Sequence, residues 1–190
     1  LVGAGLSTVA RELARRIEGI AIEKEALLVE FRKTGKPYEK VWDEMRRRAS
    51  DLLANGTSVV LDADLVDAKR RHVFASVARN AGARSALVRV VADRDIMIGR
   101  AVTAQYRTKP SDFFGGASTP WRGRASSRGA VVKLREIWRK TPQHYRWESD
   151  QGGRWVLKKL PFNVLVEIDT TDGRSWRREV RRIAQTIKNP

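Results

Sequence analysis

The stretch LVGAGLSTVARELARRI (residues 1–17) decides how the rest of the chain is read. GAGLST at 3–8 is followed directly by a helical pattern in which Val9, Leu13 and Ile17 recur every four residues. Glycines ahead of a helix leave consecutive backbone N–H groups pointing into a concave nest, and the helix N-terminus adds its positive end, so the arrangement suits an anion. The full phosphate-loop pattern is G-x-x-x-x-G-K-[ST], with lysine on the β/γ-phosphates and the hydroxyl on magnesium. Aligned to it, Gly5 takes the second glycine, Ser7 the hydroxyl and Leu6 the lysine position. A tight glycine turn between a strand and a helix accounts for the same residues without any ligand, so the wider pattern must choose.

That pattern alternates strands with helices. GIAI (19–22) reads as a short strand and EKEALLVEFRK (23–33) as a helix ended by Thr34-Gly35. A second helix is expected from Pro37, in its first turn, to Asn55, with Val41, Trp42, Met45, Ala49, Leu52 and Leu53 on one face. TSVVLDA (57–63) predicts a buried strand, 66–82 a helix, RSALVRVVAD (84–93) a strand and 93–107 a helix. NVLVEIDTT (163–171) predicts a late strand, and a helix follows over 175–187. Repeated strand–helix–strand units imply an α/β fold with a mostly parallel sheet and helices on both faces. At 190 residues the size prior gives a single domain over 1–190.

Two segments interrupt the alternation. RTKPSDFFGGASTPWRGRASSRG (107–129) carries five basic residues against one acidic, a Gly-Gly and two prolines. It reads as a flexible surface loop or as a basic lid closing over an anionic ligand. YRWESDQGGRWVLKKLPF (145–162) reads as a hairpin turning at Gly152-Gly153. Trp147 and Trp155 with basic neighbours suit base stacking and simple packing equally.

Composition narrows the chemistry. The net charge of +16 favours polyanionic partners, nucleic acid first. Cysteine is absent, which excludes disulfides, a cysteine nucleophile and thiolate zinc sites. The two histidines, His72 and His144, stand far apart and read as surface or capping residues, not metal ligands. No apolar run approaches the roughly 20 residues of a membrane span, so a soluble, intracellular protein without a membrane partner is expected.

Five segments, in order, carry a resemblance: LVGAGLSTVARELARR, AIEKEALL, TSVVLDADLVDAKRRHVFASVARNAGA, LVRVVADRDIMIGRA and QYRTKP. From residue 1 to about 107, and again in the last strand and helix, the chain resembles P-loop kinases of the predicted-kinase and polynucleotide-kinase type. The resemblance implies a P-loop NTPase fold with a basic lid insertion, ATP and magnesium as cofactors, and phosphoryl transfer to a hydroxyl. It places Gly3, Ala4, Gly5, Leu6, Ser7 and Thr8 around the nucleotide phosphates, with Ser7 on the metal. The Asp-x-x-Arg motif of such kinases falls on Glu25, as general base, and Leu28. Asp62, ending the strand, would bind the acceptor hydroxyl or a magnesium-bound water, though it also suits a plain loop cap. Arg100 and Arg107 would clamp the phosphates from the lid, with Arg71 and Arg94 as further cations. Asp64 and Asp67 are expected to start the next helix, and Asp169 to frame the base pocket.

Leu6 and Leu28 stand where this kind of kinase carries two cations. Two functions therefore follow: a kinase acting on a nucleic acid or nucleotide hydroxyl, and a catalytically degenerate kinase-fold protein serving as an RNA-binding or architectural component of a ribonucleoprotein assembly. A kinase acting on a nucleotide sugar is a third, weaker fit to the charge.

Overall fold

The computed structural model describes residues 3–103 and 125–188. Helix α1 (Leu6–Arg16) starts at Gly5, whose left-handed backbone (φ 78°) suits a residue without a side chain, and it buries Val9, Ala10, Leu13 and Ala14. Strand β1 (Ile20–Glu23) follows after Gly19 and runs parallel to β2 (Val59–Asp62), with Ile20 opposite Val59 and Glu23 opposite Asp62. A Cβ on Gly19 would lie 2.5 Å from the Ser58 carbonyl oxygen, so glycine is what lets the two chains meet at this point.

Between these strands come α2 (Lys24–Thr34), closed by left-handed Gly35, and α3 (Val41–Ala54). Their apolar faces enclose Leu27, Phe31, Val41, Met45 and Ala49 with Ile22 of β1 and Phe74 of α4 (Ala68–Asn80). Helix α4 is capped by Asp67, which accepts from the Arg70 N–H at 2.9 Å, as its spacing predicts.

Strand β3 (Val88–Val91) runs parallel to β6 (Val166–Asp169), and α7 (Trp176–Lys188) returns across α1. Val9, Leu13, Val90, Ile168, Trp176, Val180 and Ile183 form the core between them. Fully buried Phe31, Met45, Met97, Ile168 and Val180 each contribute about 1.5–3 kcal/mol. Helix α1 touches β1, β2 and β3, so it spans both parallel pairs and carries the glycine loop to the carboxyl ends of the strands.

A second lobe is built from α5 (Arg94–Thr103), α6 (Ala125–His144) and the antiparallel pair β4 (Tyr145–Glu148) and β5 (Arg154–Leu157). The turn between β4 and β5 uses Gly152 and Gly153, both at positive φ.

Four expectations change. Strand β2 is only half-buried except at Asp62, because among the described residues it pairs with β1 alone. Pro37 lies outside the helix, extended, and leads into a single 3-10 turn (Tyr38–Lys40) before α3 begins. Helix α6 begins at Ala125, inside the segment read as a loop, and continues through a stretch for which no element was predicted. His144 is buried against Asp64, not placed at the surface.

Candidate functional site

The glycine loop is fastened from behind. Gly3 and Gly5 both take left-handed φ, and Ala4 between them is fully buried. The Gly3 carbonyl accepts from Arg100 Nη1 at 3.1 Å, and the Ala4 carbonyl accepts from the Thr170 hydroxyl at 2.8 Å. Arg100 also donates to Thr170 Oγ1 at 3.0 Å and to the Thr170 carbonyl, so one guanidinium binds the loop to the end of β6. A Cβ on Gly3 would lie 2.8 Å from the Met97 carbonyl oxygen, which closes the loop against α5.

In front of the loop, α1 has no side-chain cap. Its first intrahelical N–H bond is Val9 to the Gly5 carbonyl, at 3.0 Å, so the amides of Leu6, Ser7 and Thr8 precede the helical ladder. Such amides at a helix N-terminus suit an anion. Leu6 does not add charge to this nest. It packs, partly buried, against the α1–α7 core.

The second component is acidic. Glu23 and Asp62 end β1 and β2 side by side, and Asp62 is 6% exposed. Burial pushes the Asp62 carboxyl above the usual range; a hydrogen bond from the Ser7 hydroxyl and the charge of Arg11 oppose this, while Glu23 and Glu25 add to it. Arg11 grips Glu23 through two bonds of 2.6 Å. Ser7 and Asp62 thus present a hydroxyl and a partly desolvated carboxylate beside the loop, a donor set that fits magnesium held jointly with phosphate oxygens. Among the described residues no group of three or more His, Asp or Glu forms a metal site without such help.

Glu25 is exposed in the first turn of α2, and Lys133 of α6 lies 3.3 Å from both its oxygens. Leu28, one turn further, packs partly buried against the α2–α3 core. Asp64 does not start α4. Its carboxylate lies 3.4 Å from His144 Nε2 and 3.5 Å from Lys140 Nζ. Burial alone would raise Asp64, but the His144 hydrogen bond and the charges of His144 and Lys140 outweigh it and hold the carboxyl far below the usual range.

Of the other predicted cations, Arg71 donates to the Leu65 carbonyl at 2.9 Å and stacks on Phe162 at 3.6 Å. Arg94 lies between two indoles. Arg107 falls outside the described residues, as does the predicted lid up to residue 124. Asp169 accepts from the backbone N–H and hydroxyl of Thr171, which fixes the turn after β6.

Sequence reasoning passed over Glu23, Arg11, Thr170 and Lys133. Register identifies Glu23, since it is the strand-end partner of Asp62. Arg11, one turn beyond Ser7 on α1, faces that same edge. Thr170 and Lys133 are brought in from 166 and 108 residues away, and no local pattern marks them.

Comparison with known proteins bears on the fold and the family. No curated protein matches the sequence. The crystal structure of a protein from Chloroflexus aurantiacus J-10-fl, described as a "putative kinase", superposes with a TM-score of 0.58 over 96% of this chain and 91% of that one, at 16% identity. At that identity the likeness speaks for the fold, a P-loop kinase-like α/β architecture. The model of the AAA domain family, whose members are P-loop kinase-like, matches residues 1–114, which include the glycine loop, Glu25, Asp62 and Arg100. The chain belongs to that family.

Proposed function

We propose that the protein is an ATP-dependent phosphotransferase acting on a hydroxyl group of a nucleic acid or nucleotide. The observation that carries the reading is an uncapped, double-glycine helix start with the buried Asp62 carboxylate beside its Ser7 hydroxyl. It sets a hydroxyl and a carboxylate beside backbone amides suited to phosphate.

In this reading the amides of residues 3–8 bind the nucleotide phosphates, and Ser7 and Asp62 hold magnesium. Magnesium held by these two residues would supply positive charge beside the phosphate oxygens. Glu25 takes the proton of the acceptor hydroxyl; that oxygen bonds to the γ-phosphorus while the bond to the ADP oxygen breaks. Lys133, beside Glu25, brings a cation from α6 to the acceptor side. The net charge of +16 supports a nucleic acid or nucleotide acceptor.

The phosphate loop is degenerate at Leu6, and Leu28 removes a second cation. Each loss of a preorganised charge or donor costs about 10²–10³-fold in rate. A second reading follows, in which the fold is kept for RNA binding or architecture within a ribonucleoprotein assembly. What favours it is that both leucines pack against the core, where an apolar residue is well placed.

The test is thermal melting with and without Mg-ATP, together with transfer of labelled γ-phosphate to a short hydroxyl-terminated oligonucleotide. The kinase reading expects a raised melting temperature and labelled product. No shift at millimolar ATP, with RNA still bound, would establish the second reading.

A further inference from the structure

Beside the glycine loop, three tryptophans and one arginine form a continuous ladder. The Arg94 guanidinium, at the start of α5, lies 5.6 Å from the Trp138 ring and 5.2 Å from the Trp155 ring. Trp155 of β5 meets Trp147 of β4 edge-on, with centroids 5.4 Å apart and planes at 66°. The two ends of the ladder are open: Trp138 is 70% exposed and Trp147 is 53% exposed. Packing the hairpin onto α5 needs Trp155 and Tyr145, which are wholly or largely buried, but does not need two indoles turned to water.

The ladder is also rigid. A Cβ on Gly153 would lie 2.2 Å from Trp147 Cζ2, so the indole rests directly on the turn backbone and its orientation is set by glycine. Tyr145, at the base of β4, donates its hydroxyl to the Ala92 carbonyl at 2.7 Å. Tyr145, Ala92 and Met97 share one buried cluster with Ala4 of the glycine loop, and Trp155 packs on it. The ladder is therefore mounted on the carboxyl-end edge of the strands, where the candidate site lies.

Its charge is one-sided. Arg94 is mostly buried, its nearest carboxylate is Asp95 at 3.9 Å, and its Nε has no hydrogen-bond partner among the described residues. Arg146 and Arg154 flank Trp147 and Trp155 and share the single carboxylate of Glu148. Exposed Arg135 precedes Trp138 by one helical turn.

We propose that the ladder binds single-stranded nucleic acid: unpaired bases stack on Trp138 and Trp147, and the neighbouring arginines meet the phosphates. The exposed indoles of Trp138 and Trp147 offer stacking faces to any unpaired base, whereas a duplex keeps its bases stacked on one another. The choice of nucleic acid is shared with the proposed function, but binding at the ladder requires no ATP. Its failure and the failure of phosphoryl transfer are thus separate results.

The test measures fluorescence anisotropy of a labelled single-stranded oligonucleotide of mixed sequence with the full chain, without nucleotide. Trp138→Ala and Trp147→Ala should each weaken binding roughly tenfold, since stacking one base on an aromatic ring is worth on the order of a tenfold change or more. Trp138→Phe should retain most of the affinity. Trp138 is exposed enough that its alanine variant should melt like the parent, and quenching of tryptophan emission by the oligonucleotide should shrink in that variant. Unchanged affinity in both alanine variants overturns the proposal. So does equal affinity of the parent for duplex, or for vesicles of anionic phospholipid.

Discussion

Arg100 donates to the carbonyl of Gly3 across 97 residues of sequence, and the same guanidinium bonds Thr170 at the end of β6. The left-handed backbone at Gly3 is thereby held from outside by an arginine on α5. Hydrogen bonds to a charged group contribute about 1.5–3 kcal/mol. Arg100→Ala should therefore lower stability in urea by about 2–3 kcal/mol, and Thr170→Val by less. Because the loop loses its support, Arg100→Ala should also abolish any melting shift with Mg-ATP. A variant as stable as the parent would show that the loop holds its shape alone.

Asp62 makes a pH-dependent prediction. Burial raises its carboxyl above the value in the unfolded chain, so the unfolded chain ionises first. Its contribution is favourable below the ordinary aspartate value of about 4 and is lost as pH rises through the raised value. Asp62→Asn removes that loss and keeps an oxygen acceptor beside the Ser7 hydroxyl. The variant should melt higher than the parent at neutral pH, with the difference vanishing below about pH 4. It should also lose any magnesium dependence of ATP binding. A variant less stable than the parent at every pH would contradict this.

Asp64 runs the opposite way. Its carboxyl is held far below the usual range, so its stabilisation is present above about pH 4 and is lost as pH falls toward the lowered value. Removing the charge leaves buried His144 and half-buried Lys140 facing a neutral amide in place of this carboxylate. Asp64→Asn should cost about 1–3 kcal/mol at neutral pH, and the gap to the parent should close in acid. Urea titrations at several pH values measure both.

The three charged relationships differ in how far the sequence displays them. The order of strands and helices could be read because apolar spacing is local: Val9 and Leu13 face the core of α1 for the reason that makes them periodic. Asp67 as a cap and Gly35 as a helix stop follow from backbone needs of one turn. Helix α6 is obscured in the sequence because its start lies within a glycine- and serine-rich run and it carries Pro142 in its last turn, although Leu134, Ile137 and Thr141 keep helical spacing. The pairing of Asp64 with His144 spans 80 residues, and only the folded chain brings such groups together. Leu6 and Leu28 were legible as departures from a pattern, but their packing into two separate cores was not.

Those two leucines permit a reciprocal experiment. Leu6→Lys places an ammonium at the start of α1, and the aliphatic stem can keep much of the present contact with the α1–α7 core while the charge turns toward the loop. A charge-assisted bond to phosphate contributes about 1.5–3 kcal/mol, so Mg-ATP affinity should rise roughly 10- to 100-fold by calorimetry. Leu28→Arg should leave ATP affinity unchanged and instead tighten binding of a phosphate-bearing acceptor, because it sits on α2 beside Glu25. The double variant should show both effects, added, since the two side chains belong to different cores. If Leu6→Lys folds and melts like the parent yet gains no ATP affinity, the glycine loop is not a phosphate nest, and the Ser7–Asp62 pair must be read as a structural contact.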